Sequence, residues 1–232
     1  MGGLDELRSE QGMEPIRRNY QKELERILEK EETKGKRLFL HSCCAPCSSY
    51  VLIYLREFFR ITVFYYNPNI TWQTEYEKRA AEQKRLISVL NEEAAGFPIN
   101  VQEGSYEPEK FLEAAKGLEQ CPEGQERCSR CFALRLGETA KQAGEQGFDW
   151  FTTTLTISPL KNARTLNEIG ERMAQLYGIP FLPCDFKKKE GYKQSVELSR
   201  KYGLYRQDYC GCMFSRAERE KRETKDCGRN GY

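Results

Sequence analysis

The sequence predicts an α/β fold, a parallel sheet with helices on both faces. Two observations carry this. Short apolar and β-branched runs alternate with longer segments of helical periodicity. The segments holding cysteine and threonine leave the C-terminal ends of those runs, where such sheets keep their ligands. In order, residues 1–13 are polar and read as disordered. A helix is expected over 15–33, with Ile16, Tyr20, Leu24, Ile27 and Leu28 on one face and Gly35 as its stop. Residues 37–41 read as a buried strand, followed by the cysteine loop 42–47. A helix over 48–60 leads to a β-branched and aromatic strand over 61–66, ended by Asn67-Pro68-Asn69. Then come a long helix over 72–93, a strand over 99–102, a helix over 107–117 and a loop over 118–127. The helix over 129–144 is opened by the pair Cys128–Cys131. A strand over 150–155, a helix over 165–177, a short strand over 180–184 and a helix over 190–202 complete the pattern. The expected organisation is a tail and helix (1–35), one α/β catalytic domain (36–215) and a frayed polar tail (216–232).

The 232 residues are enough to bury an independent core without disulfides, and 39% hydrophobic against 31% charged excludes wholesale disorder. No apolar run approaches the ~20 residues of a membrane helix. The start, MGGLDELRSEQGMEP, is acidic and polar, unlike a secretory signal. A soluble cytoplasmic protein is expected.

Cysteine is the anomaly. Ten cysteines in a cytoplasmic chain point to metal ligation or redox chemistry rather than to a disulfide scaffold. With one histidine, His41, any metal must be held mainly by thiolates. His41 itself, at a strand end, reads as a hydrogen-bonded structural residue, with proton donation as the alternative. Two CxxC pairs, Cys44–Cys47 and Cys128–Cys131, each open a helix, where the N-terminus stabilises thiolate charge. An iron–sulfur cluster, zinc and reducible disulfides all suit such a set. The adjacent Cys43 and Cys44 favour the cluster, because neighbouring side chains diverge and can each take a separate iron. Cys210-Gly-Cys212 is spaced for a tight, reducible disulfide; free thiols or further metal ligands are its other readings. Cys121 and Cys227 read as surface thiols, and Cys184 is given no role.

The charge is uneven. Residues 184–232 hold 13 Lys+Arg against 8 Asp+Glu, whereas residues 1–183 hold 24 against 27. The basic end interleaves Lys187, Lys188, Lys189, Lys193, Lys201 and Arg206 with Tyr192, Tyr202, Tyr205 and Tyr209. Cations for phosphate and rings for bases suit a single-stranded RNA loop; tyrosines at helical spacing also suit a core. Lys161 and Arg164 are further candidates for phosphate contact.

Five motifs in one order, LFLHSCCAPCSSYVL, FYYNPNI, ERCSRCFALRL, TTTLTISPLKN and CDFKKKEGYKQSVELSRKYGLYRQDYCGC, resemble the QueH-type epoxyqueuosine reductases over residues 36–215. The resemblance implies a HUP-class, PP-loop-like Rossmannoid domain. It also implies the last step of queuosine biosynthesis, reductive removal of the epoxide oxygen from epoxyqueuosine at the wobble position of tRNA. The cofactors implied are a [4Fe–4S] cluster and one additional iron. Carried over by motif, the cluster ligands are Cys43, Cys44, Cys128 and Cys131. The second iron lies near Cys47, where some members carry aspartate, with Asp185 as another candidate ligand. Cys210 and Cys212 match the family's CGC as a redox disulfide. Lys187, Lys188, Lys189, Tyr192 and Arg206 are the expected tRNA contacts, and an external electron donor completes the set of partners. The residues themselves oppose ATP chemistry, since Ser42-Cys-Cys-Ala-Pro-Cys47 lacks glycine and Pro46 lacks an amide donor. A PP-loop-like tRNA sulfurtransferase is thus the weaker enzyme alternative, and a zinc-stabilised RNA-binding module is the non-enzyme one.

Overall fold

The computed structural model describes residues 18–227. The expectation of disorder over 1–13 and the first residues of the expected first helix lie outside them.

Four strands form one parallel sheet: β1 (Arg37–His41), β2 (Arg60–Tyr65), β3 (Asn100–Glu103) and β4 (Trp150–Thr153). Their spatial order is β3-β2-β1-β4. The chain therefore steps outward from β1 to β3 and then returns to the other side of β1. In a parallel sheet the crevice at such a reversal, beyond the carboxyl ends of the strands, is the ligand position. The reversal here lies between β1 and β4.

Strand alternation sorts the two faces chemically. Leu38 and Leu40 of β1, with Ile61 and Val63 of β2, pack into an aliphatic core with Val51, Leu52, Leu55, Leu86 and Ile87. Those partners come from α2 (Ala45–Leu55) and α3 (Gln73–Glu92); α1 (Tyr20–Leu28) adds Leu24 and Leu28. Phe39, Phe64 and Phe151 face the other way, against Ala140 and Ala143 of α5 (Glu126–Glu145). The small alanines let α5 approach a sheet face filled by rings; Phe39 and Phe64 stack at 4.9 Å. The remaining helices are α4 (Pro108–Ala115), α6 (Ala163–Tyr177), α7 (Gly191–Lys201) and α8 (Met213–Cys227). Asn162 caps α6 by accepting from the Arg164 and Thr165 amides, and Gly178 ends it at φ 66°.

Three expectations change. Residues 180–184 form no regular strand: Phe181 makes one isolated bridge to Phe151, since Pro180 and Pro183 have no amide hydrogen to extend a ladder. Helix α2 starts at Ala45 rather than 48, because Pro46 fits a first turn whose amides need no helical partner. The expected frayed tail from 216 is instead helical through Cys227, and Glu218 of α8 pairs at 2.9 Å with the buried Arg127 of α5.

Candidate metal and redox site

Cysteines from three segments meet at the strand reversal. Cys43 and Cys44 lie in the turn after β1, and Cys44 is the N-cap residue of α2. Cys47 sits in the first turn of α2, so i and i+3 share a face. The sulfurs of Cys43, Cys44 and Cys47 lie within 4.8 Å of one another. Cys43 also comes within 3.8 Å of the Thr154 hydroxyl, which follows β4. That contact bridges the reversal.

A solvent-open cleft is lined by Cys128, Cys131, Cys210, Cys212, Asn69, Glu123, Arg135 and Lys161, among others. Cys128 and Cys131 stand on the first turns of α5. Cys43 and Cys128 pack against the same apolar group, which includes Phe132, Leu155 and Leu166. Cys210 and Cys212 are free thiols 3.4 Å apart, well beyond the ~2.05 Å of a disulfide. Their loop is pinned from α3 and from the segment after β2. Arg79, 2% exposed, donates to the Cys210 carbonyl at 3.3 Å, Asn69 donates to the same oxygen at 3.1 Å, and the Thr71 amide donates to the Gly211 carbonyl.

The electrostatics separate the thiols. Hydrogen bonds from Cys44 and Cys47 hold Cys43 well below the usual thiol range, with Lys161 and Arg135 adding to the effect. Cys44, donating to Cys43, is pushed up to about 12. Cys210 is lowered to about 6 by its hydrogen bond with Cys212, which is raised in turn. Burial raises Cys128 and takes Cys131 up to about 11. In each close group one sulfur is thus lowered and its neighbours are raised: Cys43 against Cys44 and Cys47, and Cys210 against Cys212.

Buried polar side chains fix this arrangement. Arg135 donates to His41 Nε2 at 3.2 Å and to Asn67 Oδ1, and Asn67 donates to the Ser42 carbonyl. His41 is fully buried; burial and the Arg135 charge lower it to about 3, so it is neutral. His41 Nδ1 hydrogen-bonds the Thr153 hydroxyl at 2.9 Å, and Nε2 also lies 3.2 Å from the Tyr66 carbonyl. His41 is a structural tie between β1, α5 and β4. Gln83 accepts from both Ser42 and Ser48. The sequence reading missed Arg135, Arg79 and Gln83, although their spacing was a signal. Arg135 follows Cys128 at i+7 and Cys131 at i+4, and Arg79 and Gln83 share the buried helix face of Tyr76 and Ala80.

Other expected residues lie elsewhere. Asp185 is not in the thiol group; its carboxylate pairs with Lys187 at 2.7 Å. Lys189 pairs with Glu25 of α1, whereas Lys188, Tyr192 and Arg206 are exposed. Tyr202 donates to Glu93 and Tyr205 to Glu75, and Lys201 and Lys78 lie over their respective rings, so neither ring is a free platform. Arg164 pairs with Glu168 at 2.7 Å. Cys184 is fully buried against the hydroxyls of Thr152 and Thr156, and Cys121 is half-buried. The side chain of Cys227 lies outside the described residues. Among those residues, no helix is long and apolar enough to cross a membrane.

A family model described as epoxyqueuosine reductase QueH matches residues 38–218. A Staphylococcus epidermidis protein of that name is 43% identical over 201 residues, covering 85% of this chain and 84% of its own length. Its namesake in Streptococcus pyogenes serotype M1 is 42% identical, covering 83% of this chain and 75% of itself. The Thermotoga maritima relative is 36% identical, covering 84% of this chain and 98% of itself. On a model match across the whole cysteine-bearing domain and this identity over most of its length, the chain belongs to the epoxyqueuosine reductase QueH family.

Proposed function

We propose that this chain is an iron–sulfur oxidoreductase that converts epoxyqueuosine to queuosine at the wobble position of tRNA. The observation that carries the reading is the meeting of three cysteine-bearing segments at the strand reversal, in a chain whose relatives bear that name. Removing an epoxide oxygen to leave an alkene consumes two electrons and two protons and releases water. That needs electron chemistry, and the soft thiolate set suits it.

The donor set fits the implied metals. Thiolates select iron–sulfur clusters and zinc over harder ions. Cys43, Cys44, Cys128 and Cys131 are assigned to a [4Fe–4S] cluster, and Cys47, close to Cys43 and Cys44, to an additional iron. Such a centre would supply electrons singly, and an additional iron would serve as a Lewis acid for oxygen. Asp185 is not carried forward as a ligand, because Lys187 occupies it.

The chain's own residues do the rest. Helix α2 carries Cys47 in its first turn, and the ties through Arg135, His41 and Asn67 keep the cysteine turn in place. Cys210 and Cys212 form a poised dithiol: a thiolate beside a thiol loses two electrons and one proton on closing to a disulfide. Replacing both by serine is expected to leave the iron content intact and abolish multiple turnover, measured as queuosine formed per chain. Unchanged turnover would remove the relay role.

The RNA reaches the cleft as an anticodon loop with splayed bases. The exposed Lys188, Lys189, Tyr192 and Arg206, with Lys187 at the edge of the cleft loop, support contact along the basic end. A tRNA substrate and reduced thiols are consistent with a cytoplasmic reaction driven by an external electron donor.

The test is iron and acid-labile sulfide content on protein purified without oxygen, followed by turnover of epoxyqueuosine tRNA with dithionite. About four irons with matching sulfide, or one iron more than sulfide, together with queuosine formation, is the expected result. Stoichiometric zinc without sulfide, or no queuosine, would overturn it.

A further inference from the structure

We propose that Lys161 is a further catalytic residue, its ammonium hydrogen-bonding the epoxide oxygen as the carbon–oxygen bonds break. This rests on the reductase reading. Lys161 lines the cleft together with Cys128, Cys131, Cys210 and Cys212. The charges of Cys43, Cys210 and Cys47 act on it. It is half-buried.

Its surroundings set it apart from its neighbours. Lys187 pairs with Asp185, Lys189 with Glu25, Lys193 with Glu190 and Lys201 with Glu93. The largest charges acting on Lys161 belong to thiolates instead. Glu123 lines the same cleft, but among the described residues no carboxylate pairs with Lys161, so the cation is available to a ligand oxygen.

The loop that carries it is built rather than loose. The Lys161 amide donates to the Ser158 carbonyl at 3.2 Å, and the Leu160 amide to the Ser158 hydroxyl at 3.3 Å. The Lys161 carbonyl accepts from Lys187, and the next residue, Asn162, caps α6. Leu160 is 73% exposed at the cleft edge, an apolar rim beside the cation. Opposite, Asn69 is 1% exposed and its Oδ1 has no partner, a second polar group left for a bound molecule.

The chemistry needs such a donor. As the epoxide opens, negative charge grows on oxygen, and a fixed ammonium in the cleft stabilises it more in the transition state than in the substrate. Both carbon–oxygen bonds break and a carbon–carbon double bond forms. The two electrons come from an external one-electron carrier protein, replaced by dithionite in the assay. The oxygen leaves as water, with two protons from solvent, and Lys161 keeps its charge throughout.

The experiment compares the wild-type, K161M and K161R holoproteins, purified without oxygen and matched for iron. Binding is measured without reductant on epoxyqueuosine tRNA and on queuosine tRNA, which lacks the oxygen. The wild type is expected to favour the epoxide form about tenfold. K161M should lose that preference with queuosine-tRNA affinity unchanged, and its single-turnover rate at saturating substrate should fall about a hundredfold. K161R should recover at least about tenfold of that rate, since the charge is kept. A K161M preference and rate near wild type would overturn the proposal, as would iron loss or equal weakening toward both tRNAs, which mark a structural role. Failure of the wild type to form any queuosine would instead remove the reductase reading itself.

Discussion

Cys44→Ser protein is expected to fold, to carry little iron, and to convert epoxyqueuosine tRNA about a thousandfold more slowly than wild type, ~4 kcal/mol of lost barrier lowering. Cys44 is buried at 1% exposure as the N-cap of α2. A serine oxygen caps the helix at least as well as sulfur does. The fold therefore survives while the soft ligand is lost. Circular dichroism, iron content and queuosine formation check the three parts. Cys184→Ser is the matched control. That thiol is equally buried but meets the hydroxyls of Thr152 and Thr156, at 3.4 and 3.3 Å, and the Thr153 carbonyl at 3.8 Å. It should retain its iron. Equal iron in both variants would remove Cys44 from the ligand set.

The second large effect is expected at Gly211. Its φ is +109°, which side-chain-bearing residues rarely adopt. A Cβ there would lie 2.7 Å from Ile70 Cγ1 and 3.2 Å from Arg79 Nη1. Arg79 is the group that holds the Cys210 carbonyl, so the displacement passes directly to the dithiol. Gly211→Ala is expected to cost about 2–4 kcal/mol, combining backbone strain with overpacking. For a chain of this size that is a fall of roughly 5–15 °C in melting temperature. It should also raise the reactivity of Cys212 toward a thiol reagent, since that residue is 4% exposed in the intact loop. An unchanged melting curve would show that the loop tolerates another geometry.

Much of this was legible in the chain. β1, β2 and β4 were visible because their apolar runs are dense and bounded. The cysteine pairs marked the strand ends because i and i+3 thiols need a first helical turn. Residues 180–184 misled because an apolar run looks alike whether or not its prolines leave it able to pair. α8 was missed for the opposite reason. It is polar on most sides, and what holds it is the ion pair of Glu218 with Arg127, which no local pattern reveals. Buried cations such as Arg79 and Arg135 read locally as solvated helix faces. Only the fold shows that their partners are backbone carbonyls and side chains of distant loops. The exposed lysines were visible as a charge run, but which of them are already neutralised was not.

The wall of the cleft that carries Cys210 and Cys212 is assembled across very long sequence gaps: Asn69 reaches Cys210 over 141 residues, and Arg79 over 131. Contacts so distant in sequence form slowly, because the closure entropy of a long loop precedes any gain. As the chain leaves the ribosome, β1, α2 and the first thiols emerge and can begin to order while the segment that closes the cleft is still unmade. The reactive centre is thus finished from its far end. During that interval the early thiols have no wall to shield them from oxidants, and the time to the last closure, not the stability of the sheet, sets how long they stay open.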